Sequence, residues 1–281
     1  MSVVWFNGQL VAGPLPLDAH DRGFLLGDGV FETVAVLNHK SLWLDEHLQR
    51  MARAASELGI PLDGQAISAG VEAVLAKSQS QCEVLRVTLS RGKASRGLAG
   101  DGASPSLLIT LDGFAPANLF QSCRLKVSTI RRNEFAPSSR LKTLSYIDGI
   151  AAAREVASAA DDALMLNTAG HVASSTIANI FLLRGGELIT PSLDQGILPG
   201  ITRRTLLDYA AESGFRPVER AVSQEELLGA EAVFLCNSLR FIRRVTELDG
   251  EPLGQGPLDE LKDGLCLLAR KICGIDPRTL Q

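Results

Sequence analysis

Two α/β (α+β) domains facing each other across a cleft are expected from three features of this chain. Its 281 residues amount to about two domains' worth of sequence. Strand-like stretches dominate both halves, with helical stretches interspersed and no repeat period. The segment Gly113-Phe114-Ala115-Pro116-Ala117-Asn118 is short and carries both Gly and Pro, so it reads as the joint. The expected division is a first domain over residues 1–112, a linker over 113–120 and a second domain over 121–281. A cleft between two such domains is where small-molecule sites tend to form.

The elements follow in order from local pattern. Residues 3–11 alternate apolar and polar around Asn7-Gly8, a hairpin signal. Residues 21–34 are glycine-rich and then strand-like, and their glycines do not follow a strand in the spacing of a dinucleotide fingerprint. Leu44, Leu48, Met51 and Leu58 have helical spacing, and Gly59 supplies the stop. Residues 67–76 read as a second helix, and residues 84–89 and 106–111 as strands around a polar, Gly-rich loop. Beyond the joint, a strand over 125–130 leads to a helix from about 145 to 159. Two hairpins then turn at Asn167-Thr168-Ala169-Gly170 and at Gly185-Gly186. A loop from Gly196 to Thr202 opens a helix that runs to Gly214. Ser223-Gln224-Glu225-Glu226 spells a capping box for a short helix. Residues 233–236 form a strand, and residues 258–273 the closing helix.

Composition removes several function classes. Hydrophobic residues make up 46% and charged residues 21%, which excludes bulk disorder. A net charge of −4 argues against a nucleic-acid partner, whose binding domain is normally basic. No apolar run reaches the ~18 residues of a membrane span. The start, MSVVWFNGQL, lacks a basic segment followed by a long apolar one, so a cytoplasmic chain is expected. Five scattered cysteines, no CxxC and four distant histidines indicate neither a disulfide framework nor a metal site. Buried free thiols are the expectation.

Three places carry possible chemistry. Lys142, one of only seven lysines, sits between Leu141 and Thr143-Leu144. Partial burial among apolar neighbours would lower its amine pKa, as a Schiff-base lysine requires. The plain alternative is a surface lysine that happens to follow a leucine. Gly200-Ile201-Thr202 opens a helix whose free N–H groups suit an anion. Thr202 could cap that helix, bind phosphate, or do both. Asn237-Ser238, after an apolar strand, could add small polar donors or form an ordinary turn.

Taken together the motifs resemble the class IV aminotransferases, the fold type IV group of pyridoxal phosphate (PLP) enzymes. The resemblance runs nearly end to end. It rests on Asp21-Arg22-Gly23 with Gly27-Asp28-Gly29-Val30-Phe31-Glu32-Thr33, on His47-Leu48-Gln49-Arg50, and on Ser90-Arg91-Gly92 with Arg96-Gly97. Leu141-Lys142-Thr143-Leu144, Ala178-Asn179-Ile180-Phe181, residues 196–203 and Cys236-Asn237-Ser238-Leu239 complete it. Any one motif is weak, but seven in order are specific.

The resemblance implies a fold like that of D-amino-acid aminotransferase, with PLP as cofactor and a homodimer as the assembly. It implies Lys142 as the Schiff-base lysine and proton carrier. Arg50, Ile201, Thr202 and Ser238 would hold the phosphate, which wants a guanidinium and several preorganised donors. Tyr146, one helical turn beyond Lys142, would lie beside the cofactor, and Ser174 would face its pyridine nitrogen. Relatives usually place a glutamate there, which keeps the nitrogen protonated; a serine hydroxyl cannot. Phe31 and Arg96 would contact a small amino substrate, Arg96 through a carboxylate. Within the family the chain most resembles 4-amino-4-deoxychorismate lyase, in residues 91–97, 141–146 and 236–239. That activity releases pyruvate by β-elimination and leaves 4-aminobenzoate, a folate precursor. The alternative is a transaminase of D-amino acids or (R)-amines using a 2-oxo acid acceptor.

Overall fold

The computed structural model describes residues 2–100 and 104–281. Val3–Phe6 (β1) and Gln9–Leu10 (β2) form the expected hairpin, with Asn7 and Gly8 both at positive φ. The Asp21 side chain accepts from Gly23 N and starts a short helix, Arg22–Leu26 (α1), where only a glycine-rich stretch was expected. Gly29–Leu37 (β3) and Lys40–Ser41 (β4) follow, then helices Leu44–Glu57 (α2) and Gly64–Leu75 (α3). Cys82–Lys93 (β5) and Ser104–Gly113 (β6) extend beyond the alternating residues because their pairing continues out to Lys93 opposite Ser104. The tip of the expected Gly-rich loop, residues 101–103, lies outside the described residues. These six strands form an antiparallel sheet in the order β2-β1-β6-β5-β3-β4. Val34, Val87 and Ile109 of the sheet meet Met51 of α2 and Ile67 and Val71 of α3 in one apolar core.

The chain then passes through a 3₁₀ turn at Pro116–Asn118 into Cys123–Val127 (β7), Pro137–Arg140 (α4) and Ile147–Val156 (α5). Asp162–Leu166 (β8), Val172–Ser175 (β9), Asn179–Arg184 (β10) and Glu187–Pro191 (β11) come next. After Ile201–Glu212 (α6) come Arg216–Arg220 (β12), Gln224–Leu228 (α7) with its capping box, Ala232–Asn237 (β13), Phe241–Leu248 (β14), Glu251–Pro252 (β15) and Asp259–Cys273 (α8). The second sheet runs β12-β11-β10-β13-β14-β7-β8-β9, with β15 paired to β14. Strands β12 and β14 escape sequence patterning for a physical reason. β12 is a half-exposed edge strand, and Arg243, Arg244 and Glu247 interrupt the apolar run of β14.

The helix expected from about residue 145 begins at Ile147, so Lys142 and Tyr146 do not share a helical turn. Lys142 instead lies on an extended strip. Thr143 bridges Val30, Phe31 N donates to Lys142 O at 2.9 Å, and Leu144 N donates to Gly29 O at 2.9 Å. Strand β3 therefore fixes the backbone on both sides of Lys142. A second core draws on both halves of the chain, with Leu37, Leu42 and Trp43 packed with Phe181, Phe234 and Leu261. All five cysteines are free and buried. No helix of the described residues is long and apolar enough to cross a membrane.

Candidate active site

A cavity of about 460 Å³ opens between the two sheets. Phe31, Arg50, Lys142, Tyr146, Ser174, Ile201, Thr202 and Ser238 all line it. Among the residues expected at the site, Arg96 alone is elsewhere. Arg22 Nη1 and Nη2 donate to Gly97 O and Leu98 O at 2.7 and 2.9 Å, which pins the loop after β5 and leaves Arg96 exposed to solvent.

Glu32 on β3 is fully buried and organises one cluster. Arg50 Nε donates to its Oε1 at 2.8 Å and Nη2 to its Oε2 at 2.7 Å, while His47 Nδ1 lies 2.7 Å from Oε2. His47 and Arg50 are three apart on α2 and so share the face turned to β3. Burial alone would raise the Glu32 pKa; the hydrogen bonds and charges of Arg50 and His47 outweigh it and bring it down to about 2. His47 Nε2 lies 3.1 Å from Ser238 Oγ, which in turn lies 3.5 Å from Thr202 Oγ1. Arg50 Nη1 donates to Pro199 O at 3.0 Å, tying α2 to the loop before α6.

Helix α6 starts at Gly200 with no side chain capping it. Thr202 therefore does not act as the cap; it sits inside the first turn and faces the cavity. A Cβ on Gly200 would come within 2.1 Å of Asn179 Oδ1, so only glycine permits this approach. Open N–H groups, a positive dipole end, two hydroxyls and a buried guanidinium make an anion site of the phosphate kind.

The second cluster surrounds Lys142. Its Nζ stands 4.2 Å from the centre of the Phe31 ring and 3.5 Å from Tyr146 Oη. Tyr146 meets Phe31 edge-on at 5.3 Å. Desolvation pulls the lysine's pKa below its ordinary value, partly offset by Tyr146 and Glu32. Among the described residues no carboxylate forms an ion pair with Nζ, so the amine is available as a nucleophile or base. Ser174 Oγ donates to Ser175 O at 2.8 Å from the end of β9. Cys236 also lines the cavity, but burial pushes its thiol up to about 12, which removes it as a nucleophile. The unpaired amine and the uncapped helix start, in one enclosed space, fit a ligand carrying a phosphate and an electrophilic carbon.

Sequence reasoning missed Arg86 and Arg132, which line the same cavity. Arg86 lies on β5 with its guanidinium carbon 3.8 Å from the Phe31 ring centre. Arg132 lies in the irregular stretch after β7. Two acidic residues of the first-half motifs serve as scaffolding. Asp21 accepts from Ser90 Oγ and Ser106 Oγ, and Asp28 accepts from Arg22 Nε and Arg91 Nε at 2.8 Å each.

Comparison with known proteins gives the family. Residues 29–248 match the family described as amino-transferase class IV. An aminodeoxychorismate lyase of Bacillus subtilis is 32% identical over 254 residues, covering 88% of this chain and 87% of that protein. A D-alanine aminotransferase of Bacillus licheniformis is 28% identical over 258 residues, covering 90% of each. Among solved structures, a 4-amino-4-deoxychorismate lyase from Pseudomonas aeruginosa matches with a TM-score of 0.83 at 32% identity, covering 94% of this chain and 98% of that one.

Proposed function

The chain belongs to the class IV aminotransferase family, and from that premise we propose that it is a PLP-dependent 4-amino-4-deoxychorismate lyase. PLP, the cofactor of this family, supplies an electron sink for the carbon beside the substrate's amine. Arg50, the Thr202 and Ser238 hydroxyls and the first N–H groups of α6 would hold its phosphate. Lys142 would hold its aldehyde carbon.

The remaining work falls to groups of this chain. A buried amine with a lowered pKa is neutral more often near pH 7, which is what proton abstraction needs. Nζ, freed when the substrate's amine takes its place, would take the proton from the carbon bearing that amine, and Tyr146 Oη, 3.5 Å away, would orient it. The C–O bond to the enolpyruvyl group then breaks. Enolpyruvate leaves as pyruvate, and the ring becomes 4-aminobenzoate.

The observation that favours elimination is Ser174, a neutral side chain lining the cavity at the position where the family resemblance implies a glutamate. With no carboxylate to keep a ring nitrogen protonated there, negative charge stays nearer the substrate carbon and is available to expel a β-leaving group. A D-amino-acid transaminase is the second reading, supported by the similarity to the D-alanine aminotransferase and by a phosphate cluster that both activities would share. Incubation with aminodeoxychorismate, with products identified, tests the proposal: 4-aminobenzoate and pyruvate are expected, and keto-acid exchange alone defeats it. A homodimer is part of the same reading, supported by exposed Phe24, Leu25 and Leu26 on α1 and Ile147 and Ile150 on α5. A monomeric mass in solution would remove that part.

A further inference from the structure

Two guanidiniums in the cavity have no ion-pair partner among the described residues, although the charge of Asp148 acts on Arg132. Arg50 is neutralised by Glu32, but neither Arg86 nor Arg132 forms an ion pair with any described residue. Of Arg86, only Nε has a protein acceptor among the described residues, Thr88 Oγ1 at 3.2 Å. The Arg132 guanidinium has none among the described residues, and its Nε is fully buried. The one acidic side chain lining the cavity is Asp148, which is exposed. Desolvation pulls both guanidiniums below their ordinary pKa, and Tyr146 is the ionisable neighbour common to both. Holding two desolvated cations without partners is costly, and a bound anion relieves the cost.

The cofactor phosphate has its own donors at Arg50 and the start of α6. The anions for Arg86 and Arg132 must therefore come from the substrate. Arg86 and the Lys142 amine both lie against the Phe31 ring, 3.8 and 4.2 Å from its centre, so a carboxylate on Arg86 would sit one aromatic ring away from the reacting amine or closer. Guanidinium forks match carboxylates in a bidentate way, which makes them selective for that group.

We propose that Arg86 and Arg132 are a carboxylate-reading pair that selects a substrate bearing two carboxylates. The proposal rests on reading this cavity as the active site, and it deepens the lyase reading by naming what recognises the substrate.

The test uses PLP-loaded enzyme and two inert probes, benzene-1,3-dicarboxylate and benzoate, titrated calorimetrically. The dicarboxylate is expected to bind at least tenfold more tightly than benzoate, and Arg86→Gln and Arg132→Gln each to weaken it at least tenfold, as loss of a desolvated charge partner does. Should a Gln variant fail to fold, Arg86→Lys or Arg132→Lys keeps the charge and loses the fork, and a severalfold weakening is expected. Equal affinity for the two probes, or an effect from only one of the two arginines, overturns the pair. The same preparations, assayed for 4-aminobenzoate, report on the lyase reading separately. Dicarboxylate preference without 4-aminobenzoate supports the pair and defeats the lyase. 4-Aminobenzoate formed at unchanged KM in both Gln variants supports the lyase and overturns the pair.

Discussion

At one cluster in the cavity Glu32, His47 and Arg50 close on one another through contacts of 2.7–2.8 Å, whereas in the other Arg86 and Arg132 form no ion pair among the described residues, with only the exposed Asp148 acting on Arg132 from a distance. The first cluster is charge-balanced and rigid before any ligand arrives. Its residues come from β3 and α2, which also carry an apolar core. The second is left cationic, and its members come from a strand, a stretch of irregular chain and the start of α5. A permanent cofactor is served by groups already held in place, so binding costs little reorganisation. A substrate that comes and goes is served by charge that it alone neutralises. The contrast also separates two kinds of arginine. Arg50 supports the fold and, in the proposed reading, would hold the phosphate, while Arg86 and Arg132 are maintained against their own desolvation.

The largest expected effect lies where the clusters meet. Lys142→Ala should cut turnover on the order of 10⁴-fold or more, as loss of a covalent catalyst does, while leaving the phosphate cluster intact. PLP should therefore still bind, without covalent attachment, in an equilibrium titration. Near-normal turnover would break the assignment.

The next effect tests the contrast directly. Arg50→Ala leaves the Glu32 carboxylate buried with His47 alone, and should cost about 3–5 kcal/mol of folding stability besides weakening PLP tens-fold. Arg132→Gln removes a desolvated cation with no partner, and should leave stability within ~0.5 kcal/mol of the parent or above it. Denaturant unfolding of both cofactor-free variants measures the difference. Equal losses would erase the distinction between the clusters.

Acid sharpens the same point. The Glu32 pKa is depressed in the folded chain from 4.5 to about 2, so the unfolded chain binds its proton first. The stability it contributes is present above pH 4.5 and is lost as pH falls toward 2. It amounts to on the order of 3 kcal/mol. Glu32→Gln should flatten that part of the acid-unfolding profile, and an unchanged profile would mean the cluster is not held by charge.

The smallest effect concerns the partition of reactions. Ser174→Glu should raise slow transamination of simple amino acids relative to elimination by a few fold, with PLP occupancy checked on the same preparation. An unchanged ratio would detach Ser174 from the choice of reaction.

The phosphate cluster was legible because Gly200-Ile201-Thr202 reads as the open start of a helix and because the family resemblance implies Arg50 and Ser238 beside it; His47 was not foreseen there. Even so, the bidentate pairing of Arg50 with Glu32 was not visible, since it joins a strand to a helix across the core. Arg86 was hidden by its strand, where an arginine between Leu85 and Val87 reads as an outward polar position. Arg132 follows Arg131 in a segment with no period, and only packing decides which of the two turns inward. Tyr146 was placed on the wrong element because the bridge between Thr143 and Val30, a long-range contact, keeps the chain extended past Lys142. Arg96 looked like a site residue by the family resemblance, yet hydrogen bonds from Arg22 to the neighbouring carbonyls hold its loop away from this cavity. Local pattern found the groups that act within one element. Pairings between distant elements decided the rest.

Product stoichiometry decides whether this cavity eliminates pyruvate from aminodeoxychorismate, as proposed. With PLP-saturated enzyme and aminodeoxychorismate alone, pyruvate and 4-aminobenzoate should appear one to one with no 2-oxo acid acceptor required. No 4-aminobenzoate, together with acceptor-dependent conversion of D-alanine to pyruvate, would contradict the claim and assign the chain to the transaminases.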